Sequence, residues 1–427
     1  MKTFKKSNFI VFIMAMLYAG LGFAQTSIQY YRPDGQPGLN VFETSKTDTA
    51  VYDGMKVKIG GDFALQFQSI NHSNDADNLS ELGSNLNLPT ANLNLDVQLE
   101  DGLRMHLRTY LSARHHEESW VKGGYLQIDK LDFINEGFMS GFMDIATIRV
   151  GMDEFNYGDA HFRRTDNARA TNNPFVGNYI MDAFSTEAFF ELNLQKNGLI
   201  GVLGVTNGKL NQNVTVNDNS DNKVSFFGKL GYDNQINDDL RLRITGSWYI
   251  NKGTTTGTWL YGGDRGGSRY YNVMHYETDP GTGFGARNTD FTGRYNPRFT
   301  ELTAIQINPF VKYKGLEFFG IYEIAGGSAE GEGSATQIAG ELLYRLGQNE
   351  QFYLGSRFNS VKGNPVDGAP DQEIKRINIG GGWFMTKNVI TKLEYVNQSY
   401  SGDGFTGNDQ FQGGEFKGFV IEAAISF

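Results

Sequence analysis

Cysteine is absent from this 427-residue chain and proline occurs only 9 times. Without thiols there is no disulfide scaffold, no thiolate metal site and no cysteine nucleophile, whatever the redox state of the compartment. Beyond the N-terminus no apolar run reaches the ~20 residues that a membrane-spanning helix needs, which excludes a helical membrane protein. Net positive charge is missing too. The formal charge is −10, or −13 once Lys2, Lys5 and Lys6 are discounted, and an acidic chain is a poor partner for nucleic acid. What is abundant is glycine, 53 residues or about 12% against an average near 7%, together with 13% aromatic residues. That many rings are incompatible with a disordered chain, which lacks the apolar area to offset its conformational entropy. A large, β-dominated protein is left.

The first 24 residues have the form of a secretory signal. Lys2, Lys5 and Lys6 precede an apolar stretch from Phe9 to Phe23, and Gly22-Phe23-Ala24 ends it in the small-x-small pattern of a signal-peptidase site. An anchor helix is the alternative, but the stretch is short for crossing a bilayer. An exported chain cut near Ala24 is expected. Residues 25–54, polar and holding Pro33 and Pro37, read as a flexible N-terminal arm on the periplasmic side.

After Met55 the pattern changes. Val57, Ile59, Gly61, Phe63, Leu65 and Phe67 alternate with Lys56, Lys58, Asp62, Gln66 and Gln68. This period of two outlasts the five or six residues usual for a strand in a soluble sandwich. Next, Ala91 to Leu99 and Leu103 to Leu111 alternate on either side of Asp101-Gly102, the strongest short-range hairpin signal. The device recurs to the C-terminus. Segments 55–72, 90–100, 103–114, 120–131, 144–153, 182–196, 199–207, 222–233, 240–251, 300–314, 316–326, 334–347, 351–361, 372–386, 388–400 and 414–427 give sixteen strands. Short turns, with 132–143 as the exception, alternate with longer polar connections, notably 154–181 and 252–299. An even number of long alternating strands with short turns at one end and long loops at the other predicts an all-β, 16-stranded antiparallel transmembrane β-barrel over 55–427, its long loops external. Lipid offers the backbone no hydrogen-bond partner, so a spanning sheet must close. A soluble sandwich is the alternative. Against it stand aromatic residues near the presumptive strand ends, among them Tyr232, Tyr313, Tyr344 and Phe352, where an interfacial girdle belongs.

These residues resemble a known family. Phe427, behind Phe419, Ile421, Ala423 and Ile425, resembles the C-terminal signature by which Gram-negative outer-membrane proteins are recognised for assembly. Sixteen strands with a long connection after the fifth resemble the general porins. Ile148-Arg149-Val150-Gly151-Met152 and Thr391-Lys392-Leu393-Glu394-Tyr395 are similar to segments of the phosphate-selective porin O/P group and its relatives in Bacteroidota, although no lysine ladder is evident. The resemblance implies an outer-membrane location, contact with the barrel-assembly machinery and with lipid, a homotrimer, and passive diffusion of small hydrophilic solutes or ions, with no enzyme activity and no cofactor.

In such a barrel the polar positions face a wet lumen. Arg104, Arg108, Arg114, Arg149, Lys229, Arg241 and Arg243 would line one side, and Glu317, Glu323, Glu341 and Glu422 the other, a transverse field of the kind that biases ion passage. The 154–181 connection holds Glu154, Asp159, His161, Arg163, Arg164, Asp166 and Arg169 beside four aromatic rings. It suits a constriction folded into the lumen; the alternative is an ordinary surface loop. The constriction residues are expected to be Arg108, Arg149, Arg163, Arg164, Glu191, Arg243 and Glu323, with internal salt bridges as the plainer role for the same side chains. The 252–299 connection reads as a lid packed on itself.

No catalytic or metal constellation emerges. His115-His116-Glu117-Glu118 points to opposite faces if extended, and Gly281 to Gly285 lacks the strand–turn–helix setting of a nucleotide loop. The rival functions are an outer-membrane hydrolase, for which the chain is long, a substrate-specific or plugged uptake channel, and a non-conducting structural barrel.

Overall fold

A computed structural model describes residues 27–47, 50–112, 119–164, 169–209, 214, 223–253, 258–262, 267–278 and 293–427. The expected leader, Arg114, the run His115 to Glu118, Asp166 and the segment Gly281 to Gly285 lie outside them.

The alternating segments form β1 (Lys56–Ser73), β2 (Asn85–Glu100), β3 (Leu103–Ser112), β4 (Trp120–Ile128), β5 (Ala146–Glu154), β6 (Thr186–Lys196), β7 (Leu199–Thr206) and β8 (Ser225–Gln235). The second half follows as β9 (Leu240–Lys252), β10 (Glu301–Tyr313), β11 (Leu316–Gly327), β12 (Glu332–Leu346), β13 (Phe352–Val366), β14 (Gln372–Thr386), β15 (Val389–Ser401) and β16 (Glu415–Ser426). Each pairs antiparallel with its sequence neighbours, and β1 pairs with β16, so the sheet is a closed barrel of sixteen strands. Closure is completed by Phe427, whose backbone exchanges hydrogen bonds of 3.0 and 3.1 Å with Gly61. A side chain at Gly60 would meet the Phe427 carbonyl oxygen at 2.7 Å, which explains a glycine at the seam.

Turn chemistry sets the register. Between β6 and β7, Asn197 and Gly198 both have positive φ, 52° and 82°, the geometry of a type I′ hairpin whose twist matches that of the strands. The exceptional turn at the same end of the barrel, 129–145, carries the short helix α1 (Ser140–Met143).

Burial is inverted relative to a soluble sheet. On β1, Phe63, Leu65 and Phe67 are 36–42% exposed, while Asp62, Gln66 and Gln68 are at most 4% exposed. An outward band of alternating apolar positions runs around the barrel, from Leu65 on β1 through Ile305 and Leu354 to Ile421 on β16, as a lipid-facing surface requires. Tyr232, Tyr313, Tyr344, Phe352 and Trp383 are exposed towards the short-turn end, and the rings of Phe352 and Trp383 stack with centroids 5.7 Å apart. This is the placement expected of an interfacial belt. No helix among the described residues is long and apolar enough to cross a membrane. The buried apolar cluster joins strand residues such as Ala304, Ala325 and Val396 to Phe155, Val176, Ile180, Leu260, Tyr270 and Val273 from the two longest connections. The core therefore sits inside the ring of strands.

Candidate functional site

Alternation on β3, β5, β6, β9 and β11 turns Arg108, Arg149, Glu191, Arg243 and Glu323 to the inner face. Arg163 and Arg164 come from the connection after β5. All seven are enclosed, but they belong to separate networks. Arg108 donates to Asn94 at 3.2 Å and faces Asp153 at 3.4 Å. Arg149 pairs with Glu191 at 3.1 Å and lies 4.2 Å over the Tyr125 ring. Glu191 also accepts from the Asn156 backbone at 2.8 Å.

Arg243 forms the centre of a second network. It donates to both oxygens of Asp159 at 2.8 Å, contacts Glu43 at 2.8 Å and sits 4.1 Å over the Phe42 ring. Lys229 reaches the same aspartate at 2.7 Å, as does Thr245. Burial alone would raise the Glu43 carboxyl, but the Arg243 and Lys229 charges hold it down to about 2.

Arg163 bridges two strands, donating to Glu317 at 2.7 Å and Glu341 at 3.1 Å. Arg164 bonds to Asp182 at 2.9 Å and also to Glu154 and the Ala183 carbonyl. Glu323 accepts from Tyr157 at 3.0 Å and from Tyr261 at 2.8 Å, one ring from each of the two longest connections.

The expected division into a basic and an acidic wall does not hold. Arg345, Arg357, Arg376 and Lys392 on β12–β15 are buried beside the glutamates. Arg345 pairs with Glu317 at 2.9 Å, Arg357 with Glu341 at 2.5 Å and Lys392 with Glu422 at 2.6 Å, so this wall is locally neutralised. The mixed charge was legible as alternation, since each of these residues precedes an outward apolar position, Leu346, Phe358, Ile377 or Leu393.

Residues 154–181 are held to β10–β15 by many bonds. Arg357 donates to the Gly177 carbonyl at 2.6 Å, Lys392 to the Ala170 carbonyl at 2.7 Å, and Glu394 accepts from the Val176 backbone at 2.7 Å. Gly158, at φ 65°, approaches Gln306 so closely that a Cβ there would lie 2.1 Å from its Oε1. The 252–299 connection bonds to the wall instead of packing only on itself. Tyr270 donates to Glu394 at 2.6 Å and Arg269 to Glu422 at 2.9 Å.

Sequence reasoning gave the 25–54 stretch no structural part. Its described residues ring the short-turn end of the barrel. Gln29 donates to Gln98 at 2.8 Å, Gln36 to the Lys387 carbonyl at 2.7 Å, Asn40 to Glu317 at 2.8 Å and Lys46 to Asp129 at 3.0 Å. Phe42 stands edge-on to Phe162 and Phe310 at 5.5 and 5.4 Å.

Among known structures, the chain is similar to OmpT, an outer membrane protein of Vibrio cholerae described in a trimer form, at 11% identity and a TM-score of 0.51, covering 88% of this chain and 100% of that one. It is also similar to an anion-selective porin from Comamonas acidovorans, at 11% identity and a TM-score of 0.53, covering 87% of this chain and 100% of that one. The chain has the fold of outer-membrane porins. No family model and no curated protein matches the sequence. Within that fold, no group of three or more histidine, aspartate or glutamate residues able to hold a metal occurs among the described residues.

Proposed function

We propose that this chain is an outer-membrane porin, exported on its signal peptide, through which small hydrophilic solutes or ions diffuse, with residues 154–181 folded into the lumen as the constriction. One observation carries the reading: a closed barrel with an apolar outer band encloses an interior of ionised side chains. Such an interior is costly unless each charge finds a partner or water, and a solute pathway is a reason to keep it. Arg163 and Arg164 belong to the 154–181 connection, Glu191, Arg243 and Glu323 contact it, and Arg108 and Arg149 line the wall of β3–β5. The short-turn end is assigned to the periplasm and Phe427 to recognition by the assembly machinery. Trimers are the expected assembly, and the segments 148–152 and 391–395 support a Bacteroidota-type relative of the phosphate-selective group without its selectivity.

A second reading, a solute-specific channel with a plugged lumen, is favoured by the arm and the 252–299 connection, which bond to the inner wall as well. Single-channel recording in planar bilayers separates the two. Steady steps from the refolded mature chain support the open porin, and the reversal potential in a salt gradient gives its ion preference. Silence from correctly folded barrel overturns it in favour of the plugged channel.

A further inference from the structure

At the short-turn end of the lumen the arm does not fill the space between itself and β2–β6. A cavity of about 130 Å³ remains, close to the volume that admits one six-membered ring. Its walls combine the rings of Tyr31, Tyr125 and Phe162 with buried polar groups whose bonding is incomplete. Arg104 Nε, His106 Nε2, His161 Nδ1 and Arg32 Nη1 are buried nitrogens without a hydrogen-bond partner. Arg104, His106 and His161 are each more than nine-tenths buried. His106 donates through Nδ1 to Asp96 at 2.8 Å, which leaves its Nε2 as an acceptor, whereas the Arg104 and Arg32 nitrogens are donors. A buried polar group left unmatched costs free energy comparable to a lost hydrogen bond, so the space asks for a ligand that carries oxygen acceptors and a hydroxyl donor.

The charges around the cavity say which kind. Its carboxylates are largely matched by cations of the chain: Asp153 by Arg108, Glu191 by Arg149 and Glu154 by Arg164. Asp62 accepts from Asn94 at 3.1 Å and has no ion pair among the described residues. Two guanidiniums make no ion pair at contact distance with the described residues, although Asp34, Asp62 and Glu154 line the same space. Arg32 donates only to the carbonyls of Gly38 and Phe162, at 3.0 and 2.9 Å, and Arg169 makes no side-chain hydrogen bond or ion pair with the described residues. One comes from the arm and the other from the 154–181 connection, and both line this cavity. They repel each other: burial, then the charge of Arg169, pushes Arg32 down to about 9. Two guanidinium forks on one cavity are matched by a planar anion that each can bind with paired N–H groups. The unmatched Asp62 and the paired acids around it weigh against a multiply charged anion, and the rings suit the flat face of a sugar-sized body.

We infer that this cavity binds a small solute bearing one carboxylate on a polar, sugar-sized body, the carboxylate held between Arg32 and Arg169. The inference deepens the porin reading by naming a solute class, and it is tested without transport. The full mature chain, refolded in detergent, is titrated calorimetrically with D-galacturonate, D-glucose and inorganic phosphate. Galacturonate is expected to bind at least tenfold more tightly than glucose and more tightly than phosphate. Arg169→Gln is expected to weaken galacturonate at least tenfold, Arg169→Lys to weaken it less, and Lys417→Gln, on an exposed site of β16, to leave it unchanged. Because the Arg169 side chain bonds to none of the described residues, both Arg169 variants should fold, which the heat-dependent shift in gel mobility verifies. Equal affinity for glucose, tighter binding of phosphate, no heat from any probe, or an unaltered Arg169→Gln each overturns the inference. Binding with silent bilayers would overturn the open porin and leave this site standing; conducting bilayers without binding would do the reverse.

Discussion

Asp159 shows how single residues govern this lumen. Its carboxylate receives Arg243, Lys229 and Thr245 at 2.7–2.8 Å, all from β8 and β9, so the 154–181 connection is tied to the wall by charge. Removing one partner of a buried pair leaves the other charge uncompensated, which costs on the order of 3–5 kcal/mol. Arg243→Ala takes one cation from Asp159 and Glu43 while Lys229 still reaches both, at 2.7 and 3.2 Å, so it is expected to lower stability by less than that, about 1.5–3 kcal/mol in urea unfolding, and Arg243→Lys by less again because a cation is restored. The same site gives a pH dependence. The Glu43 carboxyl lies at about 2 in the folded chain, below the ordinary ~4.3 of a free glutamate. A depressed carboxyl stabilises the fold above its unfolded value and loses that contribution as the pH falls through the folded one. Docking of the arm should therefore hold from neutral pH down to about 4.5 and weaken from there towards about 2. As the chain has no cysteine, Ser45→Cys carries a single dye on an exposed arm position, and its anisotropy should be steady above pH 5 and drop in that acid window.

At the scale of elements, the strands were legible in the sequence and the segments between them were not. Alternation with Asp101-Gly102 and Asn197-Gly198 punctuation located all sixteen strands with ends displaced by only a few residues, because a lipid-facing period of two is imposed on each strand separately. The arm carries no period. Its bonds join residues far apart in sequence, Gln36 to Asn349 and Asn40 to Glu317, and nothing local announces them. For the same reason the inward glutamates were visible while their partners Arg345 and Arg357 were left out of the expected constriction: alternation gives the face, not the pairing. The arm lines the short-turn end of the barrel, so on the porin reading deleting residues 27–47 is expected to raise single-channel conductance without loss of the folded barrel, whose strand ladder it does not enter. An unchanged conductance would place the resistance in the two longest connections instead.

For the whole molecule, the decisive balance is between an outer face that must meet hydrocarbon and an inner face that must not. In a soluble sandwich the exposed band of Ile305, Ile307, Phe318, Tyr322, Leu342 and Leu354 would be a large apolar surface facing water. In a bilayer it is the correct solvent for that band, and the cost of a charge there depends on depth. Ile307, 40% exposed at the centre of β10, should sit near the midplane, whereas Tyr313 ends the strand in the aromatic belt. Ile307→Arg is therefore expected to cost about 2–4 kcal/mol and Tyr313→Arg about 0–1 kcal/mol, measured by denaturant unfolding from lipid vesicles. The gradient, more than either value, carries the argument. A surface facing water or a second sheet has no midplane, so equal costs at the two positions would contradict a spanning barrel. A steep difference would fix the depth of the band and, with it, the ends between which the charged lumen runs.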